Sequence, residues 1–402
     1  MLLVSMKIEE LFRNVSSQVS DEEAIELLRD TIRIPSHVDH PGREGKIVEF
    51  LKQKLESEGI EVDLQEVTEG RHNVIGTVHG SGSGKSLMLV GHVDTKPPYN
   101  MTIEPYDPVI KDGKVYGRGS CDMKAGLIAE MLSLVAVKRA GLELKGDLIF
   151  AGTVGEEISA HDGGIYLAQH GPRADMAIVA EPTSLKICRG HKGITNVEIK
   201  TIGKAIHSSV PDKGINAIVK MAKLILKIEE EIPKLYSTKR DELLGLPTAA
   251  IDVISGGREP AFIPDLCKII INVRTVPGQS GENIRREFEE IIEKVKQEDP
   301  EFKAELTLSD FDHMPPYSIP KNHEIIRVLK EATKTVTGYE TEVFGAPYFT
   351  DGAYLAVHAN IPTVIYGPGD IAQAHSAVEY VSIKEFLDAL RIFTLTALKI
   401  CY

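Results

Sequence analysis

SLMLVGHVDTKPP, residues 86–98, decides the fold: an unbroken apolar run stops at a glycine, and His92 and Asp94 follow one residue apart. A short, continuously apolar run is the pattern of a strand buried on both faces. The same construction recurs twice. LIFAGTVG (148–155) runs into Glu156 and Glu157, and MAIVA (176–180) runs into Glu181. Between the first and second lies AGLIAEMLSLVAVKRAG (125–141), a strong helical pattern. Apolar strands alternating with helices imply an α/β layer architecture with a mostly parallel central sheet, in which ligands sit at the carboxyl ends of the strands. Three strands therefore end in groups able to bind a metal ion.

Working outward, strands are expected at 62–67 and 73–78, ahead of those at 86–90, 147–154 and 176–180. Ser20 opens a capping box with Glu23 and a helix to about Ile32, and the segment from Gly42 to Gly59 reads as a second amphipathic helix. From about Gly193 the texture changes to strand (194–203), helix (214–232), two strands (248–255, 267–276), helix (282–298) and strand (303–309). This β-α-β-β-α-β order is the ferredoxin-like split pattern. It marks an inserted α+β domain at 193–311, with residues 1–192 and 312–402 forming a discontinuous first domain. After Pro320 come a helix (323–336), an apolar strand (362–367) and a final helix from Ser382, so that His375 lies in the loop after the last strand.

Composition narrows the function classes. The chain has 402 residues, 42% of them apolar, enough for a large core and two domains. Its 46 Lys and Arg against 59 Asp and Glu give a formal charge of −13, with no basic run to track nucleic acid or an anionic membrane. No stretch approaches the roughly 20 apolar residues that span a bilayer. MLLVSM at the start is too short for a signal-peptide core. Four scattered cysteines without C-x-x-C spacing point away from a disulfide framework or structural zinc module and toward a reducing cytoplasm.

Taken singly, each polar residue has a plain reading. His92 and Asp94 could be a polar strand end, Asp122 in GRGSCDMKAG a turn residue, and Glu181 or His375 a loop group. Glu156 and Glu157 resist that treatment, because adjacent carboxylates at a buried strand end repel unless cations or protons compensate them. Together, two histidines and three carboxylates suit two divalent ions sharing an open site, with Asp122 able to bridge through its two oxygens. Asp94 would then orient the His92 ring, and Glu156 would face the bound water as general base.

These residues closely resemble the di-zinc metallohydrolase family that contains acetylornithine deacetylase, succinyl-diaminopimelate desuccinylase, aminoacylases and glutamate carboxypeptidases. The resemblance covers essentially the whole chain. It implies a di-zinc exopeptidase-like catalytic domain and a lid or dimerisation domain at 193–311. His92 and Glu181 would hold one zinc ion and Glu157 and His375 the other, with Asp122 between them; cobalt or manganese could substitute. Glu156 would be the general base, and a cis peptide would join Asp122 to Met123. Glutamate at position 181 is the deacylase and carboxypeptidase choice, where aminopeptidases and dipeptidases tend to carry aspartate. The implied reaction is hydrolysis of the amide bond of a small N-acyl amino acid, or release of a C-terminal residue from a short peptide.

The resemblance extends to substrate contacts. His207 in GKAIHSSVPDKGINA matches a histidine that reaches the substrate of the other subunit in a homodimer. Arg274 matches a carboxylate-binding arginine, a task suited to a planar fork of donors. Thr350, Asp351 and the loop Gly367-Pro368-Gly369 match pocket-lining positions. The chain departs from the pattern at Ala261 and Phe262, where many relatives carry an asparagine before the hydrophobic-Ile-Pro step. A phosphate-binding loop at GSGSGKS (80–86) is the main rival, but His79 stands where that motif needs glycine and a strand follows where it needs a helix. A polar hairpin turn explains the segment better. A non-catalytic relative that kept only the fold would have lost a ligand, and all are present.

Overall fold

The computed structural model describes residues 2–158, 161–309 and 314–402. The chain divides into two compact units: Met1–Arg189 with Ile319–Phe344 and Thr350–Tyr402, and Gly190–Ser318 with Gly345–Phe349. The second boundary expected from the sequence, between 311 and 312, lies outside the described residues.

In the first unit, the strands Leu87–His92 and Leu148–Thr153 are buried along their whole length, as a parallel sheet covered on both faces requires. Leu87–His92 lies between Leu148–Thr153 and Met176–Val179 and is parallel to both. Thr363–Ile365 continues the sheet, parallel to Met176–Val179. Beyond Leu148–Thr153 the sheet turns antiparallel through Arg71–Val78 and Glu61–Thr68. The register matters most for function. His92 pairs with Thr153 and Val90 with Val179, so the three acidic or histidine-bearing ends finish at one level.

The helix Ala125–Arg139 is buried from Ala125 through Val137, which explains why its sequence is apolar all round. It starts hard against the sheet. A Cβ at Gly126 would sit 2.0 Å from the Ala180 carbonyl oxygen, so only glycine permits this approach next to Glu181. Ser20 caps Asp21–Ile32 by accepting the Glu23 N–H. The next helix is Gly45–Ser57 and does not begin at Gly42, because Gly42 and Arg43 adopt left-handed backbone (φ 87° and 43°) that a right-handed helix excludes. Leu2–Ser16 and Asp162–His170 are helices, and Val109–Lys111 and Lys114–Tyr116 strands, that the sequence reading did not separate out. GSGSGKS is not a hairpin turn either. It links two strands between which Leu148–Thr153 intervenes, and it is tied to residues 145–147 through Gly80 N–H to Asp147 Oδ1 and Gly84 N–H to the Lys145 carbonyl.

The second unit holds the expected β-α-β-β-α-β order. Its antiparallel sheet runs Thr248–Gly256, Leu266–Thr275, Gly193–Ile202, Ala304–Leu308. Burial alternates strictly along Gly193–Ile202, the mark of a sheet covered on one face. That face (Val197, Ile199, Ile269, Ile271, Val273) packs against Leu224 and Ile228 of the helix Ala217–Tyr236 and Phe288 and Ile292 of Gly281–Glu298. Lys220 and Lys223 of the first helix both reach Asp299, at the end of the second, at 2.7 Å.

Candidate metal centre

The strand Leu87–His92 ends in an imidazole whose Nδ1 lies 2.9 Å from the Asp94 carbonyl oxygen. A carbonyl only accepts, so Nδ1 carries the proton and Nε2 points into the centre. There it meets Asp122 Oδ1 at 3.2 Å and Glu181 Oε1 at 3.6 Å. On the other side, His375 Nε2 lies 3.2 Å from Asp122 Oδ2 and 3.0 Å from Glu157 Oε2. Two donor groups result, His92–Asp122–Glu181 and Asp122–Glu157–His375, each with its ligand atoms within 4.8 Å of one another. Asp122 belongs to both and turns one oxygen toward each. The carboxylates and His92 are buried, whereas half of the His375 side chain is exposed, which leaves the second group open to solvent. The peptide between Asp122 and Met123 is cis.

The electrostatics of this cluster call for cations. Burial raises the carboxyl pKa values of Glu156 and Glu181; His92 opposes the shift, but neighbouring carboxylates add to it, and both end well above the ordinary range. Burial would lower the His92 pKa, yet Glu181 and Asp122 outweigh it and hold the ring well above its usual value. Asp122 resists burial through its hydrogen bonds to His375 and His92 and is held low. Asp122 and Glu157 push His375 up to about 10. Left to themselves these groups borrow protons from one another. Divalent ions would relieve the same repulsion, and imidazole nitrogen with carboxylate oxygen is a donor set that zinc accepts, so the residues present fit a pair of such ions.

The His92 Nδ1–H goes to the main-chain carbonyl of Asp94 and not to the carboxylate expected to orient it, and that carboxylate has a task its sequence position did not reveal. Asp94 Oδ1 is 3.6 Å from His92 Nδ1, while the carboxylate accepts the backbone N–H groups of Gly155 (3.1 Å), Glu156 (3.2 Å) and Glu157 (3.0 Å). Asp94 therefore holds the turn that carries both glutamates, and burial pushes its carboxyl up to about 6. The turn needs left-handed backbone at Gly155 (φ 78°), where a Cβ would meet Arg71.

Sequence reasoning missed three further groups. Lys96 donates from its backbone N–H to Glu157 Oε1 at 3.2 Å, and its Nζ lies 3.2 Å from Glu157 Oε2. His161 Nδ1 lies 3.4 Å from Asp351 Oδ1 and 4.0 Å from Glu156 Oε1, so the expected pocket residue Asp351 stands beside the expected base. Glu379, buried in the apolar AVEYV (377–381), collects the backbone of the Asp122 loop. Its only sequence signal is a lone carboxylate in an apolar run.

Thr350 is buried and accepts the Gly352 N–H, and Gly367 donates to Thr183 Oγ1 beside Glu181. In the second unit, Arg274 is half-buried opposite Thr248 and Ile194 on neighbouring strands. Exposed His207 accepts the Ser209 N–H at Nδ1 (3.1 Å), which leaves Nε2 to carry the proton.

A mostly parallel α/β sheet with histidines and carboxylates gathered at its strand ends defines a metallohydrolase. The chain belongs to peptidase family M20/M25/M40, whose model matches residues 88–399, and it is an amide-bond hydrolase. It is 30% identical over 422 residues to an N-formyl-4-amino-5-aminomethyl-2-methylpyrimidine deformylase of Halalkalibacterium halodurans, covering 98% of this chain and 97% of that protein. It is 32% identical to an acetylornithine deacetylase of Myxococcus xanthus over 351 residues, 85% of this chain and 88% of the relative. A tripeptidase from Staphylococcus aureus shares the fold with a TM-score of 0.76 at 24% identity, over 94% of this chain and 98% of that one.

Proposed function

We propose that the protein is a two-metal deacylase of small N-acyl amino acids. The observation that carries the reading is the split of Asp122, whose two oxygens each lie 3.2 Å from a different histidine, each histidine having one further carboxylate within 3.6 Å. His92, Asp122 and Glu181 would hold one ion, and Asp122, Glu157 and His375 the other. Zinc is the expected metal. When bound, such ions polarise the scissile carbonyl and lower the pKa of water toward about 7.

The chain's own residues do the rest. Glu156, held by Asp94 through its backbone N–H, takes a proton from the attacking water and returns it to the leaving amine. His207, with its proton on Nε2, donates across the homodimer to the carbonyl oxygen of the other subunit's substrate as charge develops there. Arg274 receives the substrate carboxylate. The reading carries with it a homodimer formed by the second unit: Thr248–Gly256 is an edge strand with Val253 and Ile254 exposed, and Leu226 of the helix Ala217–Tyr236 is 72% exposed. A reducing cytoplasmic setting agrees with four buried cysteines that form no disulfide.

The test is amine release by the zinc-loaded protein from N-formyl, N-acetyl and N-succinyl amino acids, N-formyl amines lacking a carboxylate, and C-terminal glutamyl dipeptides. Selective release from one acyl class names the substrate. Preference for the dipeptides moves the assignment to carboxypeptidase, and equal turnover without the carboxylate removes Arg274 from recognition.

A further inference from the structure

The two donor groups are anchored differently. His92 stands on a buried strand, and Glu181 follows a strand paired with it, with the Ala180 N–H donating to the Val90 carbonyl at 3.0 Å. His375 has no such support; it sits in a loop with left-handed backbone (φ 58°) and a half-exposed ring.

What holds that loop is Glu379, four residues further on and fully buried. Its Oε1 accepts the N–H groups of Cys121 (2.9 Å) and Asp122 (3.0 Å). Its Oε2 accepts the Gly119 N–H (3.1 Å) and Arg118 Nη1 (2.7 Å). Its carbonyl accepts the Gly117 N–H at 3.1 Å, and the Thr102 N–H holds the Ala377 carbonyl at 2.9 Å. Arg118 in turn reaches the Pro97 carbonyl and donates its own N–H to Pro105. One carboxylate thus joins the loop of Asp122 to the loop of His375.

We propose that Glu379 is a positioning residue for the open half of the centre: it fixes His375 relative to Asp122, and so governs metal occupancy of the Asp122–Glu157–His375 group while leaving the His92–Asp122–Glu181 group nearly unaffected. The inference rests on the two-ion reading. A residue that merely stabilised the fold would weaken both groups alike, so the discriminating observable is the affinity of each equivalent of metal, not activity.

The experiment titrates zinc into metal-stripped wild-type, Glu379→Gln and Glu379→Asp proteins by calorimetry, with bound metal counted after gel filtration. Glutamine keeps the length of the side chain but offers one acceptor oxygen to four donors. Aspartate keeps the charge beside Arg118 but withdraws it from the loop by one methylene. In both variants one equivalent should keep its affinity within about threefold, while the other weakens by about 10- to 100-fold, the usual range when a hydrogen-bond partner behind a metal ligand is removed. His375→Ala should abolish the same equivalent, and adding Glu379→Gln to it should change nothing further. Equal weakening of both equivalents, no weakening, or failure of both variants to fold overturns the inference. Wild type binding fewer than two equivalents instead overturns the two-ion reading itself.

Discussion

Asp94→Asn tests the centre most sharply, because the substitution keeps the shape and removes one acceptor. The carboxylate receives three backbone N–H groups at 3.0–3.2 Å from the turn carrying Glu156 and Glu157. An asparagine oriented to keep the Gly155 and Glu156 bonds turns its NH2 toward the Glu157 N–H. The Glu157 N–H loses its bond to a charged group and is left buried without it, about 1.5–3 kcal/mol. The penalty on the working geometry of the turn is of that size. Since about 1.4 kcal/mol is a factor of ten in rate, kcat should fall at least about 10-fold. The assay is steady-state hydrolysis of the substrate found in the acyl panel, beside metal content per chain. Glu157 shifts with the turn, so the metal affinity of the Asp122–Glu157–His375 group should fall too. A variant within threefold of wild type in kcat and with unchanged metal content would refute the view that Asp94 supports the turn.

Glu156→Ala should retain both metal ions and lose at least about 10²-fold in turnover, as expected for a general base; a near-normal rate removes it from that role. His207→Ala should lower kcat with metal content unchanged, and a parallel fall in metal would recast it as structural. Asp299 offers a pH test on the second unit. Hydrogen bonds from Lys220 and then Lys223 hold its pKa down to about 2 from 3.8, so its contribution to stability is complete above about pH 4 and is lost as the pH falls toward 2. Asp299→Asn should flatten the acid limb of unfolding measured by circular dichroism over that window, and an unchanged limb would show that the pair contributes nothing.

Much of the fold was legible because local patterns had local causes. The unbroken apolar runs before His92, Glu156 and Glu181 fit strands covered on both faces, and the strand read at 194–203 is Gly193–Ile202 in the structure, with one face buried. Where the reading failed, the deciding facts were not local. Gly42 and Arg43 looked compatible with a helix until their backbone was seen to be left-handed. GSGSGKS read as a hairpin because nothing in it announces that a strand some 60 residues later slips between its neighbours.

The sequence by itself determined the chemistry of the centre: which residue types stand at strand ends, and that too many carboxylates gather there to remain without cations. It did so because side-chain alternation and strand termination are encoded over a handful of residues. Tertiary structure alone decided the partnerships. That Asp122 turns one oxygen to His92 and the other to His375, that Asp94 holds the turn of Glu156 and Glu157, and that Glu379 grips a loop 257 residues earlier in the chain all depend on contacts between distant segments. A hydrogen bond across such a separation leaves no periodicity behind it, since its geometry exists only once the sheet register has set the strand ends side by side.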